Sequence, residues 1–132
     1  MRKDAKKSSS SAKVVIIRNT FPQFYGGGET YQLTLSSLLL AHSYHPIIYS
    51  SSEKLLKSSK QSKISCQRAP FLKFQNWSGL KNLLLPFYYL WQLYLYFWYR
   101  HQFKKLKPIT VIIESRDDFL AATLAAKKLG IQ

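Results

Sequence analysis

Cysteine is nearly absent, with Cys66 the single one among 132 residues. No internal disulfide can form, so a disulfide-stapled scaffold is excluded and a reducing compartment suffices. Cys66 itself reads as a small buried apolar residue rather than a nucleophile. Acidic residues are also scarce, 6 against 20 Lys and Arg, which gives a formal charge of +14. No apolar run follows the charges at the N-terminus, so no secretory signal is read there. The chain is therefore expected in the cytoplasm or peripherally on the cytoplasmic face of a membrane, and the Asn76-Trp77-Ser78 sequon then carries no glycan. No internal repeat is visible. His42, His45 and His101 have no partners at metal-ligand spacing, so neither a metal nor a cofactor is expected. Ser115 lacks the glycine context of a nucleophile elbow.

Apolar residues, in contrast, are plentiful. They make up 46% of the chain and aromatics 15%, enough for the core of one domain and too much for a disordered chain. The positive charge is uneven. Residues 1–13 carry +4, residues 54–81 carry +7 with no acid, and residues 100–107 carry +4, so these stretches hold +15 and the rest of the chain −1. A near-neutral body wears a basic coat. Residues 1–12 have no apolar periodicity and are expected to be a disordered basic tail, leaving 13–132 as one domain.

Val14 to Ile17 is a β-branched run of the kind found in a strand buried on both faces. A loop through Gly26-Gly27-Gly28 follows. Glu29 to Ala41 then reads as a helix, with Tyr31, Leu35, Leu38 and Leu39 on its apolar face and an acid in its first turn. Pro46 to Ser50 is a second strand, Ser and Lys dominate up to a weaker third strand at Lys63–Gln67, and Leu80 to Leu106 is one long apolar segment. Thr110 to Glu114 is a fourth strand. Asp117 to Leu129 is a helix with acids at its start, lysines at its end and Gly130 as its cap. Strands alternating with helices call for a parallel sheet, with the following loops gathered on one edge.

Three glycines between a strand and a helix allow close backbone approach, and the helix N-terminus offers N–H groups to an anion, for which phosphate is the natural candidate. A turn with no ligand at all is the plain alternative. Glu29 is either a helix-dipole partner or a ligand contact. A P-loop is excluded because no Gly-Lys-Ser/Thr follows, and a dinucleotide fingerprint is disfavoured because Tyr31 stands where its third glycine belongs.

The run Phe21-Pro22-Gln23-Phe24-Tyr25-Gly26-Gly27-Gly28-Glu29, directly after a Val/Ile strand, resembles the FPP-x-x-GG-x-E opening of family 4 glycosyltransferases. Leu39 to Tyr49 is similar to their helix end and second strand, and Pro108 to Asp118 to a later strand and turn. The first motif is the specific one. The resemblance spans residues 13–132 and implies the N-terminal, acceptor-side half of a GT-B fold: an α/β Rossmann-like domain with a parallel sheet and helices on both faces. It further implies sugar transfer from a nucleotide-sugar with retention and without an obligate metal. By that resemblance Gly26, Gly27 and Gly28 approach the donor diphosphate, while Glu29, Arg116 and Asp117 bind or support an acceptor. Two departures stand out. Tyr44 occupies the position of the glycine that ends the first helix, where a left-handed residue would be strained. The family's E-x7-E carboxylates and its histidine-bearing loop have no counterpart in these residues, so the chain is expected to hold half of an active site, incomplete at its C-terminus and inactive alone.

Nine of the 13 residues from Phe87 to Tyr99 are aromatic, and no single apolar face accounts for them. Pro86, Gln92 and the tyrosines argue against a membrane span. A single crossing would also separate strands of one sheet. The favoured expectation is a helix packed partly on the sheet and partly dipping into lipid headgroups through Tyr88, Trp91, Tyr94 and Trp98, next to basic stretches that an anionic membrane surface attracts. Burial against further protein is the alternative for this helix. The chain's expected partners are a nucleotide-sugar, a lipid-linked or cell-surface glycan acceptor and the donor domain. A nucleic-acid binder is the rival class, weakened because the aromatics cluster without intervening cations.

Overall fold

The computed structural model describes residues 11–20, 23, 25–72 and 81–132, with the side chains of 81–83 left aside. Most of the basic tail, Phe21, Pro22 and Phe24 of the glycine motif, and Lys73 lie outside the described residues.

The elements follow one another as β1 (Lys13–Ile17), α1 (Gly27–Ala41), β2 (His45–Ser50), α2 (Glu53–Gln61), β3 (Ser65–Arg68), α3 (Lys81–Leu106), β4 (Thr110–Ile113) and α4 (Phe119–Lys128). All strand pairs are parallel, in the order β3-β2-β1-β4. The expected α/β sheet with helices on both faces is what forms. Alternation along β1 divides the core. Val14 and Ile16 face one side with Ile48, Leu55 and Ile64, under Leu33, Leu35 and Leu39 of α1. Val15 and Ile17 face the other side with Ile47, Tyr49, Leu95, Tyr99 and Phe103, where the alanines of α4 let that helix sit close. Each fully buried side chain of this size contributes about 1.5–3 kcal/mol.

Because every helix returns across a parallel sheet, all four run against the strands. Helix N-termini gather at the carboxyl edge of the sheet and helix C-termini at the amino edge.

Three features differ from the sequence expectation. First, α2 lies within the stretch that reads as Ser- and Lys-rich connector. Its N-cap Ser52 accepts from the Leu55 N–H at 3.3 Å, and only Leu55 and Ser59 are buried, so its apolar signal amounts to one leucine. Second, the fully buried line of α1 is polar, Glu29, Gln32 and Ser36, while Tyr31 and Leu38 of the expected apolar face are exposed. Third, the left-handed residue after α1 is Ser43 (φ 66°), not Tyr44. The Tyr44 N–H donates to Leu39 O and the Ser43 N–H to Leu40 O, the paired bonds of a Schellman cap, which sets the strained conformation one residue earlier. The same pair of bonds closes α2 around Lys63 (φ 57°) and α4 around Gly130 (φ 68°). Gly130 alone of these three avoids the Cβ penalty.

Candidate functional site at the carboxyl edge

The chain steps from β1 to β2 to β3 in one direction and then crosses to β4 on the opposite side of β1. Open parallel sheets bind ligands outside the carboxyl ends of the strands at such a reversal, here between β1 and β4. Arg18 leaves β1 there. Its Nε donates to Glu29 Oε1 at 3.2 Å and its Nη1 to the Glu114 carbonyl at 3.3 Å. The other Glu29 oxygen accepts from the Gly26 N–H at 2.8 Å, and the Thr20 hydroxyl lies 3.4 Å from Oε1. Gln32 donates to the carboxylate of Glu114. One network thus ties the end of β1, the start of α1 and the end of β4.

The three glycines do different work within it. Gly26 caps α1 in an extended conformation. At Gly28 a Cβ would lie 2.3 Å from Arg18 Nη2, so the missing side chain is what lets the guanidinium cross. At Gly27 a Cβ would meet nothing within 4 Å, leaving the backbone of the first helical turn open to approach. The N–H groups of that turn have no acceptor within the helix, and the dipole favours an anion there. Glu29 is fully buried with both oxygens engaged, so it shapes the turn.

Beside this network lies a second, drier one. Ser115 Oγ lies 3.0 Å from the Asn19 carbonyl and 2.7 Å from Asp118 Oδ2, two acceptors for its one hydroxyl proton, and the Asn19 amide donates to the Pro70 carbonyl at 2.7 Å. Burial pushes the Asp118 carboxyl up to about 6, against the pull of hydrogen bonds from Ser115 and Asn19. Burial, reinforced by the Asp118 carboxylate, also raises the Tyr99 phenol well above its ordinary value. Arg116 and Asp117 sit on the exposed turn before α4. Gln92 Nε2 donates to the Asp117 carbonyl at 2.8 Å, which sets the height of α3.

On α3, Trp98 turns inward, edge-on to Tyr49 with centroids 5.4 Å apart, and Trp91 packs partly against the same core while stacking on Tyr94 at 5.2 Å. Tyr88 is half-buried and Tyr94 exposed. The open face is carried by Tyr94 together with Phe87, Tyr89, Leu90, Leu93 and Phe97, with Leu90 62% exposed. Further along the same outer line stand His101, Lys104 and Lys105. No helix among the described residues is long and apolar enough to cross a membrane, and no group of three His, Cys, Asp or Glu among them could hold a metal.

Charge is sorted by edge. The five described acids, Glu29, Glu53, Glu114, Asp117 and Asp118, are all at the carboxyl edge. At the amino edge stand eight lysines and no described acid: Lys13, Lys60 and Lys63, Lys104, Lys105 and Lys107, Lys127 and Lys128. Arg18, Asn19, Gln32, Glu114 and Asp118 do not stand out in the sequence. The available signal is positional, since a polar residue directly after a Val/Ile strand marks a carboxyl-edge position.

No protein-family model matches the sequence, and a search of curated proteins returns no match. Among solved structures, the chain is similar to a glycosyltransferase from Rickettsia africae ESF-5, with a TM-score of 0.68 and 17% identity over 92% of this chain. At that identity the likeness is one of fold. The chain spans 28% of the length of that protein.

Proposed function

We propose that this chain is the acceptor-side domain of a retaining, nucleotide-sugar-dependent glycosyltransferase of the family 4, GT-B type, acting on a lipid-linked or surface glycan. The observation that carries this reading is the switch-point turn, where Gly27 leaves the α1 backbone open beside the Arg18 guanidinium. The fold shared with a glycosyltransferase over 92% of the chain supports it. In this reading the donor diphosphate approaches the first turn of α1, the reacting end of the acceptor lies toward Arg116 and Asp117 while the rest of it extends along the carboxyl edge, and a second domain supplies the remaining groups.

The test is transfer of labelled sugar from nucleotide-sugars to lipid-extractable material by membranes from cells expressing the gene in its native context. Gly27→Ala is the informative variant, because the fold has room for the methyl group while a diphosphate pressed against the backbone does not. We expect at least a tenfold loss of transfer with the fold intact. Full activity in Gly27→Ala contradicts the placement, and no labelled product from any donor contradicts the enzyme class.

The reading includes a membrane surface. The outer line of α3 passes from Leu90, Leu93 and Phe97 to His101, Lys104 and Lys105, the composition of an interfacial helix beside an anionic leaflet. Flotation with anionic vesicles is expected to fall at high salt, as screening shortens, and with Leu90→Ser plus Phe97→Ser. Equal flotation with neutral vesicles at any salt overturns it.

A further inference from the structure

A cavity of about 380 Å³ opens at the carboxyl edge one strand away from the switch point, lined by Ser51, Arg68, Ala69, Pro70, Phe71 and Trp98. We infer that it holds one pyranose ring of the glycan acceptor, stacked on Trp98. This inference rests on the glycosyltransferase reading and deepens it.

Four observations carry it. The volume lies within the range of small-molecule sites and exceeds that of a single sugar ring. Two aromatic side chains line it, and Trp98 is held in place edge-on against the buried Tyr49, so its orientation is set before any ligand arrives. At the rim, Arg68 Nη2 donates to Glu53 Oε1 at 3.1 Å, and both side chains are largely exposed. Such a pair offers donors and an acceptor side by side, which suits neighbouring sugar hydroxyls, and it rearranges cheaply in water. The wall is also tied to the switch point, because Pro70 O accepts from Asn19 and Ser51 donates to the Thr20 carbonyl. A ring seated here is thereby adjacent to the crevice where transfer is proposed. A phosphate is the poorer occupant, since Arg68 is the sole cation of the lining among the described residues and is paired with Glu53. A nucleoside can also stack on Trp98 and hydrogen-bond to this pair, and it is the competing occupant that titration separates.

The test follows the indole N–H resonance of Trp98 in the 132-residue chain during titration with methyl glycosides of glucose, galactose and mannose, with uridine and adenosine, and with inorganic phosphate. A ligand of this size is expected to bind with a Kd on the order of 1 mM. At least one glycoside should shift the Trp98 signal saturably. Arg68→Gln and Phe71→Ser should each weaken that binding at least fivefold with the amide spectrum otherwise preserved. Either a Trp98 signal unmoved by every glycoside, or one moved equally in both variants, overturns the proposal; so does a response to nucleosides or phosphate alone. If the pocket fails while sugar transfer still depends on Gly27, the acceptor ring lies elsewhere and the enzymatic reading stands. If transfer fails while a glycoside binds, the pocket belongs to a sugar-binding domain without that chemistry.

Discussion

The two edges of the sheet are built from the same four strands and helices, yet they differ in almost every physical respect. At the carboxyl edge, polar groups are buried and mutually engaged, with Arg18, Glu29, Gln32 and Glu114 in one network and Asn19, Ser115 and Asp118 in another. At the amino edge, seven lysines face solvent at or near helix C-termini, where the dipole favours cations, with Lys13 beside them at the start of β1, and no described acid answers them. The difference teaches where stability and ligand binding are coupled. Breaking a buried ion pair at the carboxyl edge should cost folding energy because it strands a charge. Replacing the amino-edge lysines should change long-range attraction and leave the fold untouched.

The largest expected effect is at the Arg18–Glu29 pair. Arg18→Met leaves the fully buried Glu29 carboxylate without its cation, a loss of about 3 kcal/mol after allowing for the partial exposure of Arg18. Urea denaturation reads it, and adding Glu29→Gln should recover much of the loss. An effect below 1 kcal/mol would mean that the edge is not held by this pair.

Asp118→Asn comes next and has the opposite sign. The Asp118 carboxyl is raised from 3.8 to about 6 in the fold, so its stabilisation is full below the unfolded value and lost as pH rises through about 6. At pH 7.5 the folded domain carries the cost of a buried carboxylate, on the order of 2–3 kcal/mol. Asp118→Asn should remove that cost at pH 7.5 and change little at pH 3.5. A variant with the same relative stability at both pH values contradicts this.

Helix caps give smaller changes. Ser43→Gly relieves a left-handed residue and should stabilise by about 1 kcal/mol, while Gly130→Ala should destabilise by a similar amount. Thermal denaturation distinguishes the two signs. Smallest of all, Lys104→Gln with Lys105→Gln should shift stability by less than about 0.5 kcal/mol while weakening vesicle flotation. A large stability loss there would erase the contrast between the edges.

Much of the fold is legible in the residues themselves. The β-branched runs Val14–Ile17 and Val111–Ile113 and the alanines of α4 announce a buried parallel sheet, because such strands need no polar alternation. Helix α2 is hidden because a nine-residue helix that buries one leucine looks like a linker. The inward turn of α1 is hidden for a different reason. Glu29 and Gln32 are buried to serve Arg18 and Glu114, groups 11 and 82 positions away, and helical periodicity weighs only apolar residues. The glycine turn is visible in the sequence, but its division of labour is not. That Gly28 makes way for Arg18 while Gly27 stays open follows only from where the arginine crosses.

The most direct test of the account is one backbone-amide map of the domain recorded with two ligands, a nucleotide-sugar and anionic bicelles. The nucleotide-sugar is predicted to shift amides of 18–20, 25–30 and 114–118, and the bicelles those of 90–107 and the amino-edge lysines. Perturbation of the same amides by both ligands would contradict the division of labour proposed here.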